Sequence, residues 1–280
     1  ISDNITVNFQ TLYDTEYSEV LYDTESHDGD FCAYQFAAKS TPKALMSKVV
    51  ETSKNGRVKT NELKRVIHQV PLNNLVPGQT YFFIAGHEET GYSKERSFKT
   101  PKAEGPYRVV TGGDMGTSEV VRSFLTIAAT WAPDFIAIGG DIAYANGLQS
   151  NLWDMWLNIY GEAAVDPKGH SIPVLLGLGN HECQQARGAS KEQSPYYFGF
   201  FAQGGESYFA RKLGDDNIFL LLDSNHVNSH EGKQKTWLEN TLKEHEGRKN
   251  KFSIYHVPFY PAARMYNPGY AGITHWAPLF

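Results

Sequence analysis

Phe135-Ile136-Ala137-Ile138-Gly139-Gly140-Asp141-Ile142-Ala143-Tyr144 reads as a buried-type strand that runs into two glycines and an acidic residue. The glycines permit a sharp turn and close backbone approach just before Asp141. The same pattern recurs on both sides of this stretch. Tyr107 to Thr111 runs into Gly112-Gly113-Asp114, Ile172 to Leu178 into Gly179-Asn180-His181, and Phe252-Ser253-Ile254-Tyr255 into His256. Ser207 to Arg211 and Ile218 to Leu222 read as further strands. Helix-period stretches lie between them. One is capped by Thr117 or Ser118 and runs to about Trp131, with Val120, Val121, Phe124, Leu125 and Ala128 on one face, until Pro133 stops it. Others cover about Leu148 to Tyr160 and Gly232 to His245, the latter turning Trp237, Leu238 and Leu242 inward. Alternating strands and helices predict a mainly parallel α/β sheet.

In such sheets, ligands bind beyond the carboxyl ends of the strands. Converging there, Asp114, Asp141, Asn180, His181 and His256 would bring together carboxylates, an amide oxygen and imidazoles. That donor mix suits Fe, Zn or Mn. A lone Asp after a strand is usually a turn or cap residue; the signal is the joint order.

Upstream, the pattern is different. Ile5-Thr6-Val7-Asn8-Phe9 and Phe31-Cys32-Ala33-Tyr34-Gln35-Phe36 alternate, Leu63 to Val70 less cleanly, and Tyr81 to Ala85 and Ser97 to Lys99 follow. Turn signals separate them at Asp28-Gly29-Asp30, Asn55-Gly56, Pro77-Gly78 and Thr90-Gly91. This spacing predicts a β-sandwich. Leu75-Val76-Pro77-Gly78-Gln79-Thr80-Tyr81 is similar to the turn-and-tyrosine corner of fibronectin type III domains, where a Tyr bonds back across the preceding turn. Thr100 to Pro106 is polar, holds two prolines, and reads as the linker between two domains.

Length and charge fit that division. A chain of 280 residues suits roughly two domains of about 150 residues each. With 26 Lys+Arg against 31 Asp+Glu, the net charge of -5 argues against a binder of nucleic acid through bulk charge. Apolar runs such as Ile218 to Leu222 are far too short to span a bilayer. The chain opens on Ile1 without a signal peptide, which is silent about export. Cys32 and Cys183 cannot make a disulfide framework and read as free thiols.

Asp114-Met115-Gly116, Gly140-Asp141-Ile142-Ala143-Tyr144, Gly179-Asn180-His181-Glu182 and His256-Val257-Pro258 stand in one order. That order resembles the binuclear metallophosphoesterases and, by the Tyr three residues after Asp141, the purple acid phosphatases. Gly232-x-Gln234-x-x-Trp237-Leu238 and the closing Trp276 to Phe280 agree, so the resemblance covers essentially the whole chain. It implies a fibronectin type III-like β-sandwich over 1–103 and an α/β metallophosphoesterase domain, an αββα sandwich, over 104–280. It also implies two adjacent metals, with Asp141 bridging. Asp114 and Tyr144 would hold Fe(III), and Asn180 and His256 a divalent Fe, Zn or Mn. His181 would serve the phosphate or the leaving oxygen, and Asp223 has no ligand role.

The implied activity is hydrolysis of small phosphate monoesters by a metal-activated hydroxide, as an acid phosphatase. No nucleic acid or membrane is a partner, a homodimer is compatible, and an exported or lysosome-like location is expected. The family's last motif, Gly-His-x-His, is absent, so each metal lacks one ligand. Truncation before that motif is the expectation, with an inactive relative as the alternative. The runner-up activities are a phosphodiesterase or nucleotide pyrophosphatase, and a binding protein with a vestigial site. Arg264 or Tyr260 would contact phosphate, or else belong to loop packing. His226 and His230 read as loop or rim residues, and His27, His68, His87 and His170 as surface ones.

Overall fold

The computed structural model describes residues 2–53, 55–201, 203–263 and 267–280. The first part of the chain carries β1 (Ile5–Thr11), β2 (Ser18–Asp23), β3 (Phe36–Ser40), β4 (Lys43–Thr52), β5 (Val58–Leu72), β6 (Thr80–His87), β7 (Gly91–Tyr92) and β8 (Arg96–Lys99). β1 and β4 flank β5 in one antiparallel sheet, and β3, β2, β6 and β8 line up in a second, with β7 also on β6. Alternate residues of each sheet meet between them: Val70 and Leu72 from β5, and Val20, Tyr81, Phe83 and Phe98 from the other. The Tyr81 hydroxyl accepts the Val76 N–H at 2.9 Å across the Pro77-Gly78 turn, as the sequence pattern requires.

Two expectations for this part change. Residues 31–35 are a turn, and β3 begins only at Phe36. Local polar bonds outcompete the apolar alternation: Asp30 Oδ1 accepts Cys32 N–H, and Asp23 Oδ2 accepts Gln35 N–H. His68 and His87 are buried, at 1% and 3% exposure, rather than on the surface. His68 stacks on Phe9 and bonds Ser18 and Thr11, which supplies the polar partners that let it sit in the core.

The rest of the chain alternates as expected. β9 (Val109–Gly112), α1 (Glu119–Thr130), β10 (Phe135–Ile138), α2 (Ser150–Ala163), β11 (His170–Ser171) and β12 (Val174–Leu176) lead to α3 (Pro195–Phe200). Then come β13 (Phe209–Leu213), β14 (Asn217–Leu221), α4 (Gly232–Glu244), β15 (Asn250–Ile254) and α5 (Asn267–His275). β9, β10 and β12 pair in parallel, as do β14 and β15, with β13 antiparallel on β14.

Strand alternation sets the layers. Phe135 and Ala137 face Phe209, Phe219 and Leu221 between the two sheets, while Ile136 and Ile138 turn to Val121, Leu125, Trp153 and Trp156 of α1 and α2. On the far side Ile218, Leu220 and Leu222 pack on Leu238 of α4 and on Trp276. The order is therefore helix, sheet, sheet, helix. α1 buries only the row Val121, Leu125 and Ala129; Val120 and Phe124, expected on that face, are 59% and 66% exposed. A helix that rests on one sheet and one neighbouring helix covers a single narrow stripe.

The two parts of the chain are joined by more than the linker. β11 adds to the edge of β8 in parallel. Arg65 of β5 donates to both Asp154 oxygens of α2 at 2.7 and 2.6 Å, and Ile67 enters the core of the second part. Among the described residues, no helix is long and apolar enough to cross a membrane.

Candidate metal centre

Each parallel strand ends in a tight turn, and the turns are bonded to one another. Gly139 N–H donates to Gly112 O at 2.7 Å and Gly177 N–H to Ile138 O at 2.7 Å. One step further, Asp114 N–H reaches Gly140 O at 3.1 Å and Met115 N–H reaches Asp141 O at 2.8 Å. Gly140 has φ +104°, and a Cβ there would sit 2.6 Å from Gly179 N. This is the close approach that its sequence position predicts.

Asp114, Asp141 and Tyr144 all take left-handed φ values of 51°, 53° and 56°. For a bulky Tyr that conformation costs about 1–3 kcal/mol and marks a place where geometry is dictated by the surroundings. The dictated geometry turns the side chains toward each other. One donor atom each from Asp114, Asp141 and His256 lies within 4.8 Å of the others. Tyr144 Oη donates to Asp114 Oδ1 at 3.0 Å. His256 Nε2 lies 3.1 Å from Asn180 Oδ1 and 3.3 Å from Asp141 Oδ2. The structure thus brings together all five residues singled out as ligands. His181 joins them: its N–H donates to Asp141 Oδ1 at 2.8 Å, and its ring lies 4.2 Å from that of Tyr144. His181 Nδ1 bonds Asn146 Oδ1 at 2.5 Å, which leaves Nε2 facing Asp141 Oδ2 at 3.9 Å.

The electrostatics favour a cation. Burial raises the Asp141 carboxyl, but the hydrogen bond and charge of His256 and the His181 N–H outweigh it, leaving it below its ordinary value. Burial lowers His256, and Asp141 more than reverses this. Burial and then the Asp114 hydrogen bond and charge push the Tyr144 phenol up. The donor set, two carboxylates, a phenol, an amide oxygen and an imidazole, fits hard and borderline metals.

Glu182, the last residue of the Gly179-Asn180-His181-Glu182 motif, ties the centre together. At 1% exposure, its carboxylate accepts N–H bonds from Asp141, Ile142 and Gly179, each at 2.8 Å. An acidic residue inside a glycine-rich turn was the available signal. His226 and His230, expected at a rim, are 2% and 1% exposed. Tyr260 is 75% exposed, and Arg264 lies outside the described residues. Cys32 is exposed and Cys183 buried, and neither forms a disulfide. A cleft of about 870 Å³ opens around Tyr107, Phe219, Asn250 and Phe252, at the opposite ends of the strands from the centre.

Residues 1–100 match the family model described as the purple acid phosphatase N-terminal domain. Over those residues the chain is similar to the purple acid phosphatases. It is 26% identical over 202 residues to the probable purple acid phosphatase 20 of Arabidopsis thaliana, covering 69% of this chain and 45% of that relative. It is 30% identical over 118 residues to purple acid phosphatase 22 of the same plant, covering 42% and 25%. In fold it is similar to purple acid phosphatase PPD1 from yellow lupin seeds, with a TM-score of 0.68 and 19% identity over 93% of this chain and 50% of that one. The chain thus spans less than half the length of these curated relatives.

Proposed function

We propose that this chain carries the binuclear centre of an acid phosphatase that hydrolyses small phosphate monoesters. The observation that carries this reading is the meeting of Asp114, Asp141 and His256 within 4.8 Å beyond the ends of β9, β10 and β15. Asp114 and Tyr144 would hold Fe(III), Asn180 and His256 a divalent Fe, Zn or Mn, and Asp141 would bridge them. Metals held here would offset phosphoryl charge and lower the pKa of a water enough to make it a nucleophile.

The protein's own groups do the rest. Glu182 fixes the Asp141 backbone. Asn146 accepts from His181 Nδ1–H, so His181 Nε2 is the atom that exchanges a proton with the leaving oxygen. Within the family reading, residues 1–103 are a fibronectin type III-like sandwich, supported by the two facing antiparallel sheets and the Tyr81 corner. Residues 104–280 are the metallophosphoesterase domain, supported by the four layers. The protein is taken to be exported and to act on a small phosphate ester, not on nucleic acid or a membrane surface.

Metal content by mass spectrometry, on protein purified without chelator, tests the centre. About two metals per chain, one of them iron, are expected for a two-metal site. Less than one metal per chain refutes the assignment. A panel of aryl phosphate monoesters and diesters tests the substrate class, and faster diester turnover refutes the monoester reading.

A further inference from the structure

Two residues just beyond β14 are buried, yet neither is among the ligands named above. Ser224 and His226 are 0% and 2% exposed, and the His226 ring lies 5.4 Å, centroid to centroid, from that of His256. Both His226 nitrogens are engaged. Nδ1 lies 2.8 Å from the carbonyl of Ala186, which can only accept, so Nδ1 carries the proton. Nε2 is then the acceptor and takes the Ser224 hydroxyl at 3.3 Å. The Ser224 oxygen in turn accepts the N–H of Val257 at 3.0 Å, the residue next to His256.

The anchor for this chain of bonds is rigid. Asp223 is 0% exposed, and its carboxylate accepts the N–H groups of His226, Val227 and Asn228 and the Ser207 hydroxyl. Backbone bonds from Gly188 to Asn225 O and from Ala189 to His226 O hold the opposite loop against it.

We propose that His226, in its Nδ1–H tautomer, is a positioning residue for His256. Through Ser224 and Val257 it keeps His256 Nε2 turned toward Asn180 and Asp141. The proposal rests on the metal reading above and deepens it. With both nitrogens occupied, His226 is not itself a ligand. Partners of this kind around metal-binding histidines change metal affinity by about 10–100-fold when removed.

Two measurements test it. Long-range ¹H–¹⁵N NMR on histidine-labelled protein should show His226 protonated at Nδ1 and not at Nε2; the opposite tautomer overturns the proposal. Zinc affinity, read by competition with a chromogenic chelator, should weaken about tenfold or more in Ser224→Ala and His226→Leu. The ferric–phenolate band, which depends on Asp114 and Tyr144, should be unchanged. Equal loss of both metals, or an unchanged zinc affinity in a folded variant, overturns it. If His226→Leu does not fold, Ser224→Ala, which removes one hydroxyl, decides. If the parent protein takes up no zinc, the metal reading falls. The positioning link is then judged by the tautomer and by whether Ser224→Ala shifts the His256 ring resonances; unshifted resonances overturn it.

Discussion

Removing one partner of the Arg65–Asp154 pair should be much worse than removing the other. The Arg65 side chain is 6% exposed and that of Asp154 38%. Asp154→Ala therefore strands a buried guanidinium that keeps only Ser47, Gln10 and Ser150 as neutral acceptors. Breaking a buried pair this way costs about 3–5 kcal/mol. Water reaching the vacated Asp154 position should hold the value near about 3 kcal/mol. Arg65→Met leaves Asp154 able to turn into solvent. It forfeits mainly hydrogen bonds, at about 1–2 kcal/mol net. The double variant Arg65→Met/Asp154→Ala should cost about 1–2 kcal/mol, no more than Arg65→Met alone, giving a coupling energy of about 3 kcal/mol. Urea unfolding followed by tryptophan fluorescence and by far-ultraviolet circular dichroism measures all four proteins, and the two probes should coincide. Equal losses in the two single variants, or a smaller loss in Asp154→Ala, would refute the reasoning.

Other outcomes follow from the centre and the core. Tyr144→Phe should abolish the visible absorption band of the iron-loaded protein while leaving the unfolding midpoint nearly unchanged, and an unaltered spectrum would move the ferric site elsewhere. Glu182→Ala leaves three buried N–H groups without their acceptor, at about 1–3 kcal/mol each, and should destabilise the chain by more than Tyr144→Phe, as read by thermal unfolding. Burial lowers His68 to about 4, and burial with the charges of His275 and His226 lowers His230 to about 4. These folded values lie below that of the unfolded chain. Their contribution is therefore full above about pH 6.5 and lost as pH falls toward about 4, by about 3 kcal/mol per group at most. His68→Gln should flatten the acid side of the stability profile, and an unchanged profile would show that His68 is not the group responsible.

The centre was legible because its ligands sit at fixed offsets from apolar strands: strand polarity carries Asp114, Asp141 and Asn180 to one end of one sheet, and His256 joins them from β15 of the other. Asp114, Asp141 and Asn180 needed no knowledge of side-chain packing to be brought together. Glu182, Asn146 and His226 act through bonds to backbone or to one another, and no periodicity encodes such a bond. The buried histidines were misread for a related reason. His68 looks polar in isolation, but Ser18 and Thr11, which satisfy it, lie 50 and 57 residues away. β4 escaped because it is an edge strand with Ser47 as its one fully buried residue, so it shows no apolar alternation. The linker reads as a change of composition, but the contacts spanning it are long-range and left no local trace.

Those contacts bear on how the molecule responds to being cut. The parallel bridge of β11 on β8 puts a piece of the second part into the sheet of the first. Lys48 N–H bonds the Tyr196 hydroxyl, and Gln69 reaches Gly199 O, neither of them involving residues 100–106. A protease that nicks the segment around Ala103 should therefore leave two fragments that elute as one particle and separate only in denaturant. Expressed alone, residues 1–103 would expose the β8 edge and the apolar rim around Ile67, and would be prone to self-association.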